Sequence, residues 1–176
     1  MASLDQFTYP LPKHFIAQSA IHPPDTCKLL VLNKNSEHKQ FKDIINYLKP
    51  GDVLVVNKTK VSHAKLLGQK STGAKVEVIL TKPLGNNICE CRIKGTNVRQ
   101  GSELLFESTS ATVTGKTNDI FTIKFARSPS KEDLIMPTPP YIKKHIPEKD
   151  YQTLFAKTTG SLAAPTAALH FTPSLV

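Results

Sequence analysis

Apolar positions in the first sixty residues form two short continuous runs separated by a periodic stretch. Lys28-Leu29-Leu30-Val31-Leu32 and Asp52-Val53-Leu54-Val55-Val56-Asn57 read as strands buried on both faces. Between them Phe41, Ile44, Ile45 and Leu48 recur at i, i+3, i+4 and i+7. Ser36 offers an N-cap before this stretch and Pro50-Gly51 a stop after it, so the spacing predicts an amphipathic helix. Strand, helix, strand predicts a βαβ unit and therefore an α/β layer.

From Val61 to Phe125 the rhythm shortens to six turn-separated segments: Ala64–Leu67, Lys75–Leu80, Ile88–Ile93, Glu103–Phe106, Ala111–Thr114 and Ile120–Phe125. Lys75-Val76-Glu77-Val78 and Phe121-Thr122-Ile123-Lys124 alternate with a period of two, and Pro83–Asn87 and Thr117–Asp119 read as hairpin turns. Six short strands without an intervening helix predict a small antiparallel β-barrel or sandwich, inserted into the α/β pattern. The expected division is 1–60 for the first α/β segment, 61–128 for the barrel and 129–176 for the second α/β segment. In that last segment Ser130 with Asp133 resembles a capping box. Pro137-Thr138-Pro139-Pro140 must run extended, with Tyr141 displayed beside it.

Asp150–Thr172 is the stretch around which a function is expected. Tyr151, Leu154 and Phe155 have helical spacing, Gly160-Ser161 breaks it, and small residues lead to Pro165, which fixes φ and marks a turn or helix start. Thr166, His170 and Phe171 then offer a hydroxyl, a ring that titrates near neutral pH and a stacking face. This is the composition of one wall of a ligand pocket, and equally of a tightly packed turn. The final residues, Thr172-Pro173-Ser174-Leu175-Val176, read as a helix cut at its first turn, since isolated helices are marginal below roughly 12–15 residues. The chain therefore reads as truncated.

Composition narrows the partners. The 176 residues suit one ordinary domain or a domain with an insertion, and 39% hydrophobic with 21% charged residues excludes a disordered polyelectrolyte. A net charge of +9 and a pI near 9.5 favour an anionic partner, nucleic acid first among them, although the lysines are scattered. Three cysteines without CxxC spacing argue against a disulfide framework or a zinc site. No run approaches the ~20 apolar residues of a membrane helix, and a soluble cytoplasmic protein is expected.

Several blocks then fall in a specific order: Leu11-Pro12 through Ile16-Ala17-Gln18; Asp25 with Leu29-Leu30-Val31; Pro50 to Val61; Thr72 to Glu77; Met136 to Ile142; Asp150-Tyr151-Gln152-Thr153; and Gly160 to Thr172. Together they resemble the S-adenosylmethionine:tRNA ribosyltransferase-isomerase family of queuosine biosynthesis. The resemblance implies an α/β domain carrying an inserted β-barrel, with further chain beyond Val176. It also implies an enzyme that moves the ribosyl group of S-adenosylmethionine onto the aminomethyl-deazaguanine at the wobble position of tRNA. Isomerisation gives epoxyqueuosine, and adenine and methionine leave. S-adenosylmethionine is then a co-substrate; no resident cofactor and no metal are expected, and a monomer meets the tRNA anticodon region. The sequence departs from the family at Pro24, Cys27-Lys28, Lys58, Lys60, His63, Lys65 and Ala168; Lys58 reverses a charge.

Such chemistry needs a base beside the sulfonium, help for departing adenine, a held amine and a dry pocket. His170 and Asp25 are the catalytic candidates; their plain readings are a core histidine and a turn-capping carboxylate. Tyr141, Ser161, Pro165, Thr166 and Phe171 are the candidates for holding S-adenosylmethionine: the aromatics by stacking, the hydroxyls by hydrogen bonds, or all of them by packing and capping alone. Lys60, Lys65 and Lys75 are the RNA-phosphate candidates, or solvated surface lysines. The alternative function is a truncated, non-catalytic basic RNA-binding module.

Overall fold

A computed structural model describes residues 3–176, which divide into two compact units. The first runs up to Asn57 and continues through Thr138–Phe155 and Pro165–Val176; the second comprises Lys58–Pro137 and Ala156–Ala164.

In the first unit β1 (Lys28–Leu32) and β2 (Ser36–Gln40) form an antiparallel hairpin in which Lys28 faces Gln40 and Leu32 faces Ser36. Strand β1 lies where the apolar run placed it, but it is not buried on both faces: Leu29 and Val31 are half-buried while Leu30 and Leu32 are exposed. Ser36 does not cap a helix, because pairing with β1 draws its whole segment into β2. Helical turns begin only at Phe41 and last seven residues as a 3-10 helix, Phe41–Tyr47. Gln40 caps it, and Asp43 accepts the Gln40 amide at 2.9 Å, a reciprocal box. Asp52–Asn57 is not a strand: Val53 and Val55 stand 85% and 88% exposed. A continuous apolar run can become a buried strand only if neighbours pair its backbone and cover both faces. No strand ladder among the described residues of this unit includes residues 53–56. The expected βαβ unit is therefore realised as a hairpin and a short 3-10 helix.

The second unit is the expected barrel, closed by six strands in the order β4-β5-β6-β9-β8-β7. Before it comes β3 (Thr59–Val61); the barrel strands are β4 (Lys65–Lys70), β5 (Lys75–Gly85), β6 (Ile88–Lys94), β7 (Glu103–Leu105), β8 (Ser110–Thr117) and β9 (Ile120–Phe125). Alternate residues point inward, and Leu66, Val78, Cys91, Leu104, Val113 and Ile123 form a core with essentially no exposure. Both expected hairpin turns form. Asn86 and Asn87 sit at φ 51° and 59° between β5 and β6, the left-handed pair that a tight right-twisted hairpin requires, and Asn118 at φ 52° turns β8 into β9. Gly68 stands on the β4–β7 seam, where a Cβ would strike the Leu105 carbonyl oxygen and the Phe106 ring.

Two further features complete this unit. Strand β10 (Thr158–Ser161) runs parallel to β3, so residues 156–164 group with the barrel. The amide of Ser130 donates to the Asp133 carboxylate at 2.7 Å, as the capping-box spacing predicts, although it closes a turn rather than a helix.

Candidate functional site

The site lies within the first unit and is assembled from three stretches distant in sequence. Pro165 begins the helical turn Thr166–His170, with the Ala168 amide donating to the Pro165 carbonyl at 2.9 Å. The small buried side chain of Ala168 lets the turn lie close to its surroundings, and His170 packs its ring against Phe41 at 5.2 Å between centroids. The second stretch is the proline-stiffened segment ending at Tyr141, whose ring is about half exposed. Gln18 belongs to the third. Its side-chain amide donates to the Tyr141 carbonyl at 3.1 Å, and its side-chain oxygen accepts the Lys143 amide at 2.8 Å. One glutamine thereby clips the Tyr141 loop to the N-terminal segment.

These stretches enclose a cavity of about 500 Å³, a size suited to a small-molecule ligand. Gln18, His22, Tyr141, Asp150, Thr166 and His170 line it. Tyr141, Thr166 and His170, predicted separately from sequence, thus share one hollow. His22 and Asp150 contribute a polar contact at 3.3 Å between Nε2 and a carboxylate oxygen, with Asp150 largely buried and His22 open.

Behind the cavity a polar cluster fixes His170. Its Nδ1 is 3.1 Å from the Cys27 sulfur. Burial, and secondarily the Asp25 carboxylate, push the Cys27 thiol pKa above its ordinary value, so at neutral pH the sulfur keeps its proton. The thiol and Nδ1 share one hydrogen, and which of them donates it depends on the ring tautomer. Asp25 is not a lining residue: its carboxylate accepts the Thr172 hydroxyl at 3.0 Å, tying the start of β1 to the chain after His170.

The other candidates fall elsewhere. Phe171 packs edge-on against Phe41 and Phe155, at 5.0 and 5.5 Å, and does not line the cavity. Pro165 starts the helical turn rather than facing the hollow. Ser161 lies in the barrel-bearing unit, where its hydroxyl donates to the Ala163 carbonyl at 2.6 Å and closes a turn. Lys60, Lys65 and Lys75 are also in that unit: Lys60 and Lys75 are exposed, and Lys65 faces Glu77 at 3.8 Å. Sequence reasoning missed the His22–Asp150 pair, the Gln18 clip and the Cys27 contact. No local spacing signals them, because Gln18–Tyr141 and Cys27–His170 join residues 123 and 143 positions apart.

Comparison with known proteins supplies the context. The sequence model of the family described as queuosine biosynthesis protein matches residues 4–176. The S-adenosylmethionine:tRNA ribosyltransferase-isomerases of Thermotoga petrophila and Thermotoga maritima are each 43% identical to this chain, aligning 98% of it with 54% of their own length. The protein of the same name from Staphylococcus haemolyticus is 40% identical, over 99% of this chain and 55% of its own. A crystal structure of S-adenosylmethionine tRNA ribosyltransferase from Thermotoga maritima matches 97% of this chain and 52% of that one at 32% identity, with a TM-score of 0.37. The chain thus spans about half the length of the curated relatives it matches. With nearly every residue covered by the family match, this chain belongs to the queuosine biosynthesis protein family.

Proposed function

We propose that the chain supplies the corresponding half of an S-adenosylmethionine:tRNA ribosyltransferase-isomerase. Its cavity holds the nucleoside part of S-adenosylmethionine, and the ribosyl group passes to the aminomethyl-deazaguanine at the tRNA wobble position. Adenine and methionine are released as epoxyqueuosine forms. The cavity carries this reading: it joins an aromatic face, a hydroxyl and a proton-bearing imidazole in one hollow of nucleoside size. Tyr141 stacks on adenine; Thr166 hydrogen-bonds the ligand; His170, its ring anchored through Nδ1 by the Cys27 contact, protonates or holds the leaving adenine. Asp25 acts through Thr172 to hold the segment bearing His170 in place. Lys60 and Lys75 are exposed cations available to tRNA phosphates, whereas Lys65 is engaged by Glu77. S-adenosylmethionine is a co-substrate, no resident cofactor takes part, and the protein works in the cytoplasm as a monomer.

Calorimetric titration with S-adenosylmethionine tests this reading, with the Thermotoga maritima relative as positive control. Binding is expected, weakened about tenfold by Tyr141→Ala, the loss of a stacking face. Adenine release in the presence of precursor tRNA is expected to fall in His170→Gln at all pH values. No heat from this chain while the relative binds would overturn the cavity assignment. Tight tRNA retention without S-adenosylmethionine binding would instead identify an RNA-binding module.

A further inference from the structure

The positive charge is divided unequally between the two units. The barrel-bearing unit carries fourteen Lys or Arg against seven Asp or Glu, a net +7, whereas the other has nine against seven, +2 of the total +9. Within the barrel the cations gather at one end. The antiparallel order brings three connections together there: the β4–β5 loop, the β6–β7 loop and the β8–β9 turn. Lys70 and Lys75 flank the first, Lys94 and Arg99 belong to the second, and Lys116 precedes the third, with Arg92 one step below on β6. Apart from Lys70 all are exposed.

Two of these cations make side-chain contacts that hold them in place. The Lys70 ammonium donates to the Asn97 carbonyl at 3.1 Å, with the Thr96 carbonyl at 3.4 Å, and so braces the β6–β7 loop. The Lys116 ammonium lies 4.9 Å above the centre of the Phe121 ring, beside a surface hollow that Arg92 and Asn97 also line. Acidic residues are few at this end. Asp119 and Glu103 are there, and Glu77, across from Lys94, is engaged by Lys65.

We propose that this end of the barrel is the docking surface for the sugar–phosphate backbone of RNA. The inference rests on the proposed tRNA-modifying function and deepens it by assigning the grip to the three barrel connections, not to Lys60 or Lys65. A cluster of exposed cations on three adjoining connections fits a phosphate backbone, which presents regularly spaced anions and places no demand on base identity. The hollow beside Lys116 and Phe121 admits a phosphate next to Arg92, whose planar fork binds two phosphate oxygens at once.

Fluorescence anisotropy with a labelled tRNA anticodon-arm hairpin, titrated from low to moderate salt, provides the test. The triple variant K94Q/R99Q/K116Q is expected to bind about tenfold or more weakly, with the slope of log affinity against log salt shallower by roughly two to three. K34Q/K42Q/K49Q, which removes three exposed lysines of the other unit, is expected to bind within about twofold of the wild type. Thermal melts of both variants establish that they remain folded. Wild-type affinity in the barrel variant, an equal loss in the control variant, or displacement of the hairpin by polyglutamate at equal charge concentration would each overturn the proposal. S-adenosylmethionine titration of the same samples separates the two ideas. Intact nucleoside binding with unaltered RNA binding in the barrel variant removes the docking surface alone; failure of the nucleoside titration removes the cavity reading.

Discussion

The barrel conceals its apolar side chains, while the other unit displays many of its own. Leu66, Val78, Leu104 and Ile123 are at most 1% exposed inside the barrel, whereas Val53 and Val55, as apolar and as strand-prone, lie open to solvent. Leu30 and Leu32 on β1, and Phe7, Phe15 and Ile45 nearby in sequence, are exposed as well. The difference lies in how each unit satisfies its backbone. A closed barrel gives every strand two neighbours, so alternation in sequence becomes alternation of inside and outside. A short hairpin with 3-10 turns has no second layer to cover an apolar face, and burying such a face requires another element against it. The first unit instead concentrates its order at and behind the cavity, where Gln18 bonds Tyr141, Cys27 contacts His170 and Thr172 donates to Asp25.

Substitutions on the two sides sharpen the contrast. Leu104→Ala is expected to lower barrel stability by about 2–5 kcal/mol through loss of buried area and an unfilled cavity. Val55→Ala is expected to change stability by no more than about 0.5 kcal/mol. Amide exchange resolved by segment measures each unit separately, and equal effects would break the comparison. Next in size, Gly68→Ala is expected to open the β4–β7 seam at a cost of about 1–3 kcal/mol, because the added methyl meets backbone and the Phe106 ring. Exchange at Gln69 and Lys70, the two residues paired across that seam, reports it.

A pH effect follows for the barrel. Burial, with Cys89 beside it, pushes the Cys91 thiol from 9.0 up to about 12. The unfolded chain then loses this proton near pH 9 while the folded chain keeps it, so the folded state binds more protons in between. Stability is unaffected below pH 9 and falls between pH 9 and 12 by up to about 1.4 kcal/mol per unit. Urea midpoints across that window are expected to decline less steeply in Cys91→Ala; parallel declines would discount the thiol. A smaller loss is expected behind the cavity, where Thr172→Val removes the hydroxyl donated to Asp25 and is expected to cost about 1 kcal/mol. Faster exchange confined to the Thr166–His170 turn would show it.

The barrel was legible in the sequence because its signals are local. Period-two alternation, Asn-rich turns and short spacing each act within a few residues, and all six strands lie where those signals placed them. The first unit was less legible for the complementary reason. Phe41, Ile44, Ile45 and Leu48 have helical spacing, yet backbone pairing from Lys28 to Gln40 claims the residues expected to cap the helix, leaving only a short 3-10 segment. Asp52–Asn57 has a buried strand's composition, but residues 53–56 join no strand ladder and stay exposed. At the cavity, Tyr141, Thr166 and His170 were chosen for their chemical types, whereas their convergence depends on contacts that no sequence window contains.

Sequence by itself therefore determined the family, the basic character and the six-stranded insertion, since ordered motifs, charge and alternation are properties of the chain read in line. Only the tertiary structure decided that Gln18 clips the Tyr141 loop, that Cys27 sets the His170 ring and that the barrel's cations gather at one end. Each of these is a meeting of residues far apart along the chain, and such meetings are fixed by packing and backbone pairing rather than by neighbours in sequence.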